Sequence, residues 1–103
     1  MTNTELITGY REIVFDIHAM KQRLAWNRRH GLPELNIPEQ IRELIRELIR
    51  FEELMETITD RRARNVICCR FVLGMSVRST ADYLRLSCNT VERICTATLR
   101  SLE

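Results

Sequence analysis

The sequence is short of residues that interrupt regular structure: it has three Gly and two Pro in 103 positions. That leaves little room for long loops, and no stretch reads as low-complexity linker. No apolar run approaches the roughly 20 residues that a membrane helix needs, so no membrane association is expected. The opening "MTNTELITGY" lacks a basic stretch followed by an apolar one, so no secretory signal is expected either and the chain reads as cytoplasmic. Alternation of apolar and polar residues over strand length occurs nowhere, which removes β-sheet from the expected fold. There is no Gly-rich phosphate loop and no carboxylate pair suited to acid–base work. Neither His18 nor His30 lies beside a candidate nucleophile. Enzymatic activity and cofactors are therefore not expected.

The four cysteines, Cys68, Cys69, Cys88 and Cys95, form no Cys-x-x-Cys and have no nearby His. Cys88 and Cys95 are seven residues apart, about 10 Å along a helix, too far to share one metal ion. No metal site is expected, and in a reducing compartment the thiols read as small, partly buried apolar groups. Lysine is almost missing, since Lys21 is the only one among sixteen basic residues. Arginine suits phosphate and carboxylate alike, so this bias decides little by itself.

What is present divides in two. Residues 1–59 carry eight basic and ten acidic side chains, whereas residues 60–103 carry eight arginines against Asp60, Asp82, Glu92 and Glu103. A net charge of +2 thus conceals a basic C-terminal part, which suits an acidic partner such as nucleic acid. In the first part, Leu6, Tyr10, Ile13, Ile17, Met20 and Leu24 recur every three or four residues. They predict one helix from Thr4 to Arg29, capped by Asn3 or Thr4, widened by Ile7 and Val14, and stopped at Gly31. After the connector "GLPELNIP", Ile41, Leu44, Leu48, Phe51, Met55 and Ile58 form a second seam. Glu39/Arg42, Glu43/Arg46 and Glu47/Arg50 are set to pair on its solvent side. Ile45, Ile49 and Leu54 widen the stripe beyond one seam, which points to contact with a second copy or another partner as well as the hairpin mate.

Three shorter helices are predicted beyond Ile58. One runs from Arg61 to Leu73, capped by Thr59 or Asp60 and stopped by Gly74. A second runs from Val77 to Leu84 behind Ser76, and a third from Cys88 to Leu102 behind Ser87. A short helix, a three-residue turn and a longer helix have the spacing of a helix-turn-helix. Ala81 permits close approach of the two helices, Leu86 plugs the turn, and Val91 and Ile94 fix the last helix to the core. With that side buried, Cys88, Asn89, Glu92, Arg93, Thr96 and Arg100 point outward and Thr90 lies at the margin. Arg93 suits guanine, Asn89 adenine and Glu92 cytosine; with Cys88 and Thr90 they form the candidate base-contacting set. Arg78, Arg85, Ser87, Thr96 and Arg100 form the candidate phosphate-contacting set, with Ser87 freeing backbone amides for an anion. Arg61, Arg62 and Arg64 suit either phosphate contact or solvation of their helix.

Residues 64–102, "RNVICCRFVLGMSVRSTADYLRLSCNTVERICTATLRSL", resemble region 4 of bacterial sigma factors. Arg70-Phe71, Gly74, Ser76, Ala81, Leu84, Ser87 and Thr90-Val91 carry the resemblance without a gap. It departs at Arg85, which stands where glycine is common in the turn. Small proteins joining a helical N-terminal half to such a module are similar to phage and prophage regulators of the RinA and ArpU type. The resemblance implies a sequence-specific, phage-encoded transcriptional regulator that binds double-stranded DNA and meets RNA polymerase as a further partner.

The expected fold is all-α: a two-helix antiparallel hairpin over residues 1–59, then a three-helix helix-turn-helix domain over residues 60–103. The hairpin is expected to mediate homo-oligomer or partner contacts, with a dimer favoured because two readers on two half-sites multiply weak contacts. Two other roles fit the same pattern: the DNA-recognising small terminase subunit of a phage packaging machine, and a module that docks on RNA polymerase without reading DNA.

Overall fold

A computed structural model describes all residues 1–103, and the chain is all-α, with no strand. Six helices follow in order: α1 (Asn3–Thr8), α2 (Tyr10–Arg29), α3 (Ile37–Thr57), α4 (Arg61–Ile67), α5 (Val77–Leu84) and α6 (Cys88–Ser101). The molecule is elongated, 54 × 25 × 17 Å, because α2 and α3 project as an antiparallel arm. None of the helices is long and apolar enough to cross a membrane.

The arm forms as the two seams predict. Ile13 and Ile17 of α2 and Ile41 and Phe51 of α3 are buried between the helices, and Tyr10 stacks on Phe51 with ring centroids 4.2 Å apart. Pro38 sits in the first turn of α3, where its missing N–H costs nothing. Gly31 takes φ +64° just past His30 and turns the chain. At the tip, Asn27 is buried and donates through Nδ2 to the Pro33 carbonyl at 3.1 Å, holding the connector against α2. Two of the three anticipated surface pairs form, Arg42–Glu39 at 3.1 Å and Arg50–Glu47 at 3.4 Å; Glu43 and Arg46 do not pair.

The first helix does not run unbroken. It divides at Gly9, and its N-cap is Thr2 rather than Asn3 or Thr4. Thr2 and Glu5 form a reciprocal capping box, the Thr-x-x-Glu pattern being visible in the sequence itself. The division has a local cause: the Thr8 hydroxyl donates back to the Thr4 carbonyl at 3.0 Å, which bends helices, and glycine follows. The bend turns α1 onto the C-terminal helices. Ile7 is thereby fully buried, whereas Val14, expected to widen the seam, stays 40% exposed. Asn3 donates through Nδ2 to the Leu102 carbonyl at 2.6 Å, and the Thr4 amide donates to Glu103 Oε1 at 2.7 Å.

The third predicted helix is regular only to Ile67. Residues Cys68–Val72 then form a wider π-helical turn, closed by the Leu73 amide donating to the Cys68 carbonyl at 2.9 Å. Gly74 follows at φ +70°, with the Arg11 side chain of α2 laid against it, so a Cβ there would collide with the guanidinium. The remaining boundaries match their caps: Asp60, Ser76 and Ser87 each accept an amide hydrogen of the first turn that follows. One apolar cluster joins both ends of the chain. It contains Leu6, Ile13, Phe51 and Ile58 together with Val66, Ile67, Ala81 and Val91.

Candidate nucleic-acid interface

The geometry of the last two helices follows from three small features. Ala81 is buried at 3% exposure where α5 meets α6, and its carbonyl accepts from the Leu86 amide at 2.8 Å across the turn. Arg85 takes the left-handed conformation, φ 58° and ψ 47°. Such a backbone costs a residue with a Cβ about 1–2 kcal/mol, which the closure of the turn and the burial around Leu86 offset. Ser87 then opens α6: its hydroxyl accepts from the Thr90 amide at 3.1 Å and donates to Thr90 Oγ1 at 2.8 Å. The amides of Cys88 and Asn89 precede any intrahelical acceptor and stay free at the positive end of the helix.

α6 is held by Val91, Cys95 and Thr98, all buried, with Ile94, Leu99 and Leu102 packed at the edge. Its opposite side is open. Cys88, Asn89, Glu92, Arg93, Thr96 and Arg100 are all exposed, and Thr90 is half-buried beside its cap. Asn89, Glu92, Arg93, Thr96 and Arg100, with Ala97, line one shallow concavity along the helix. Arg78 and Arg85 are exposed on α5 and the turn. The ten residues singled out from sequence thus lie along α5, the turn and α6, with the outward set of α6 gathered along one side.

Other arginines of this part separate into two groups. Arg64 donates through Nε and Nη2 to the Ile58 carbonyl at 3.1 and 2.8 Å, which ties α4 to the end of α3 and occupies its fork. Arg70 is half-buried and donates to the Met75 carbonyl at 2.5 Å, bracing the loop before α5; its Nε is buried without a partner. These two are structural clamps. Arg61 and Arg62 are exposed and line a hollow with Asn65, Leu84 and Leu86, beside the helix-turn-helix turn. Tyr83, 70% exposed on α5, adds an aromatic side chain near the turn that sequence periodicity did not single out.

The ion pairs are placed unevenly. All three in the molecule, Arg28–Glu34, Arg42–Glu39 and Arg50–Glu47, belong to the arm. None involves any of the eight arginines after residue 60. Apart from Arg64 and Arg70, the side chains of Arg61, Arg62, Arg78, Arg85, Arg93 and Arg100 stand exposed and form no ion pair, although Glu92 lines the same concavity as Arg93 and Arg100. Eight arginines against four carboxylates give residues 60–103 a net positive charge.

Burial is the main cause that raises the Cys95 thiol above its ordinary range; Arg70 beside it pulls the other way and Glu92 adds to the rise. Cys68 and Cys69 are raised for the same main reason. All four cysteines are free, and no three His, Cys, Asp or Glu side chains come together in a way that holds a metal ion. No protein-family model, curated protein or solved structure matches the chain.

Proposed function

We propose that this protein is a sequence-specific, double-stranded-DNA-binding transcriptional regulator, phage or prophage encoded and acting in the cytoplasm, that sets α6 into the major groove. The observation that carries this reading is the pairing of an open, polar α6 face with six exposed arginines that form no ion pair in the chain. Asn89, Glu92 and Arg93 are the base-reading side chains, and Cys88 and Thr90 flank them at the helix tip. The free amides behind Ser87 and the side chains of Arg78, Arg85, Thr96 and Arg100 fix the register on the phosphates. Arg61 and Arg62 extend the phosphate track beside the turn. The protein has no catalytic role; it acts by occupying a promoter and by helping or blocking RNA polymerase there.

The test is selection of duplexes from a random pool, followed by binding titrations of variants over a range of salt. Arg93→Ala is expected to lose about 1–3 kcal/mol on the best site and to relax preference at one base position. Arg78→Ala weakens all duplexes alike and lowers the salt slope by about one. A protein that ignores every duplex at low ionic strength is not a DNA reader, and its helix-turn-helix then serves as a docking module for polymerase.

A further inference from the structure

One flank of the arm is left uncovered, and its residues are self-complementary. α3 turns Ile41, Leu44, Leu48 and Phe51 toward α2, yet Ile45 and Ile49 remain 36% and 49% exposed. Arg42 stands three residues before Ile45 and Glu52 three residues after Ile49, so all four share one stripe of the helix. Tyr10 stacks on Phe51, and the antiparallel register then brings Val14 level with Glu47, between the two isoleucines. Val14 adds a 40% exposed side chain on the same flank of α2, whereas Phe15, 69% exposed, lies on the outer side of that helix. The other flank of the seam is a different surface, where Asp16, Glu43 and Glu47 line an acidic hollow.

The stripe reads the same after a half-turn about the level of Glu47. A second α3 laid antiparallel across it sets Ile45 against the partner's Ile49 and Arg42 against the partner's Glu52, twice over. A parallel arrangement would oppose Arg42 to the partner's Arg42. Within the chain Glu52 has no cation, and Arg42 makes only the exposed contact with Glu39. We propose that two copies of this chain associate through this flank, the arms forming an antiparallel bundle centred on Ile45 and Ile49 and bracketed by Arg42–Glu52 pairs. This is an isologous contact that closes on itself, so it yields a dimer and not a filament.

The surface is large enough for a reversible dimer. α3 has 21 residues and is about 31 Å long, and the two-helix face is about 15–20 Å across. That gives roughly 500 Å² per copy and about 1,000 Å² in all, at the lower edge of specific interfaces, which predicts micromolar dissociation. Each α3 ends ten residues beyond Glu47, so the two helix ends stand about 30 Å apart, close to one turn of DNA.

The dimer is measured without DNA, so it stands or falls apart from DNA reading. Sedimentation equilibrium of the full chain from about 1 to 200 μM is expected to show a monomer–dimer equilibrium. Arg42→Glu and Glu52→Arg each weaken it about tenfold or more, by setting like charges against each other. The double variant R42E/E52R restores it to within about threefold of the original, because the exchanged charges again oppose. Ile49→Asp leaves a monomer whose circular dichroism and melting midpoint are those of the parent. A chain that stays monomeric throughout overturns the inference. So does a double variant that fails to recover, or an assembly that survives Ile49→Asp. A monomer that still binds duplexes would leave the DNA reading intact, and a dimer that ignores DNA would do the reverse.

Discussion

Helices α4, α5 and α6 are 7, 8 and 14 residues long and each starts with a side-chain cap, whereas the 20- and 21-residue helices α2 and α3 start with none. The difference follows from length. A short helix cannot recover its nucleation cost from its own hydrogen bonds, so satisfied ends and tight contacts decide whether it forms. A long helix gains enough from a continuous apolar seam that its ends can fray. Charge follows the same division. The molecule's three ion pairs all lie in the arm, where acidic side chains outnumber basic ones, while none forms in the helix-turn-helix part, where arginines outnumber carboxylates two to one.

The largest expected effect tests whether these two regions fold separately. Leu6 is fully buried in the cluster that joins the base of the arm to α4 and α6. Leu6→Ala should cost about 3 kcal/mol, within the range for a buried leucine truncated to alanine. Trp26, at the tip of the arm, reports that end by fluorescence, and far-ultraviolet circular dichroism reports every helix. Urea titrations followed by the two signals should coincide before and after the substitution, because the core is shared. Two separate transitions would show an arm that folds on its own.

The next effect sharpens the contrast in capping. Ser87→Ala removes the acceptor of the Thr90 amide and should cost about 1 kcal/mol. Asn36→Ala, at the start of α3, removes no side-chain cap and should stay within about 0.5 kcal/mol of the parent. Chemical denaturation of both variants decides it; equal losses would mean that end chemistry is not what separates the regions. Arg85→Gly goes the other way. Relief of the left-handed strain outweighs the added freedom of the unfolded chain, for a gain of about 0.5–1 kcal/mol. If Arg85 contacts phosphate as proposed, duplex affinity should fall in the same variant that gains stability.

The sequence disclosed structure best where the determining contact is local. Ser76 and Ser87 mark the start of α5 and α6, and the outward order of Asn89, Glu92, Arg93, Thr96 and Arg100 follows from helical period once Val91 and Cys95 are buried. The all-α class follows from the seams in the same way. It disclosed less where a distant carbonyl decides. Nothing near Arg64 in sequence identifies the Ile58 carbonyl as its acceptor, and nothing near Arg70 separates a loop brace from a phosphate contact. The break at Gly9 and the Thr2–Glu5 box were written in local residues, but the long heptad seam outweighed them in a reading by periodicity. The π-helical turn at Cys68–Val72 leaves no pattern in residue type at all.

The smallest effect is confined to the helix-turn-helix part, since the arm contains no cysteine. Burial holds the Cys95 thiol above its ordinary value of 9.0, with Arg70 opposing the rise and Glu92 reinforcing it. A folded-state value above the unfolded one means that the unfolded chain loses this proton first. The stabilising contribution is therefore fully present below pH 9.0 and is lost as the pH climbs from there through the folded value. Between neutrality and about pH 8 no slope should be seen; above 9.0 stability should fall, each raised thiol contributing at most the ~1.4 kcal/mol per pH unit that one whole proton sets. Cys95→Ala should flatten that alkaline limb while lowering stability at pH 7 by the volume it removes. If the limb keeps its slope, the loss comes from Cys69 and Cys68, whose thiols are raised by burial as well, and the same titration on Cys69→Ala assigns it.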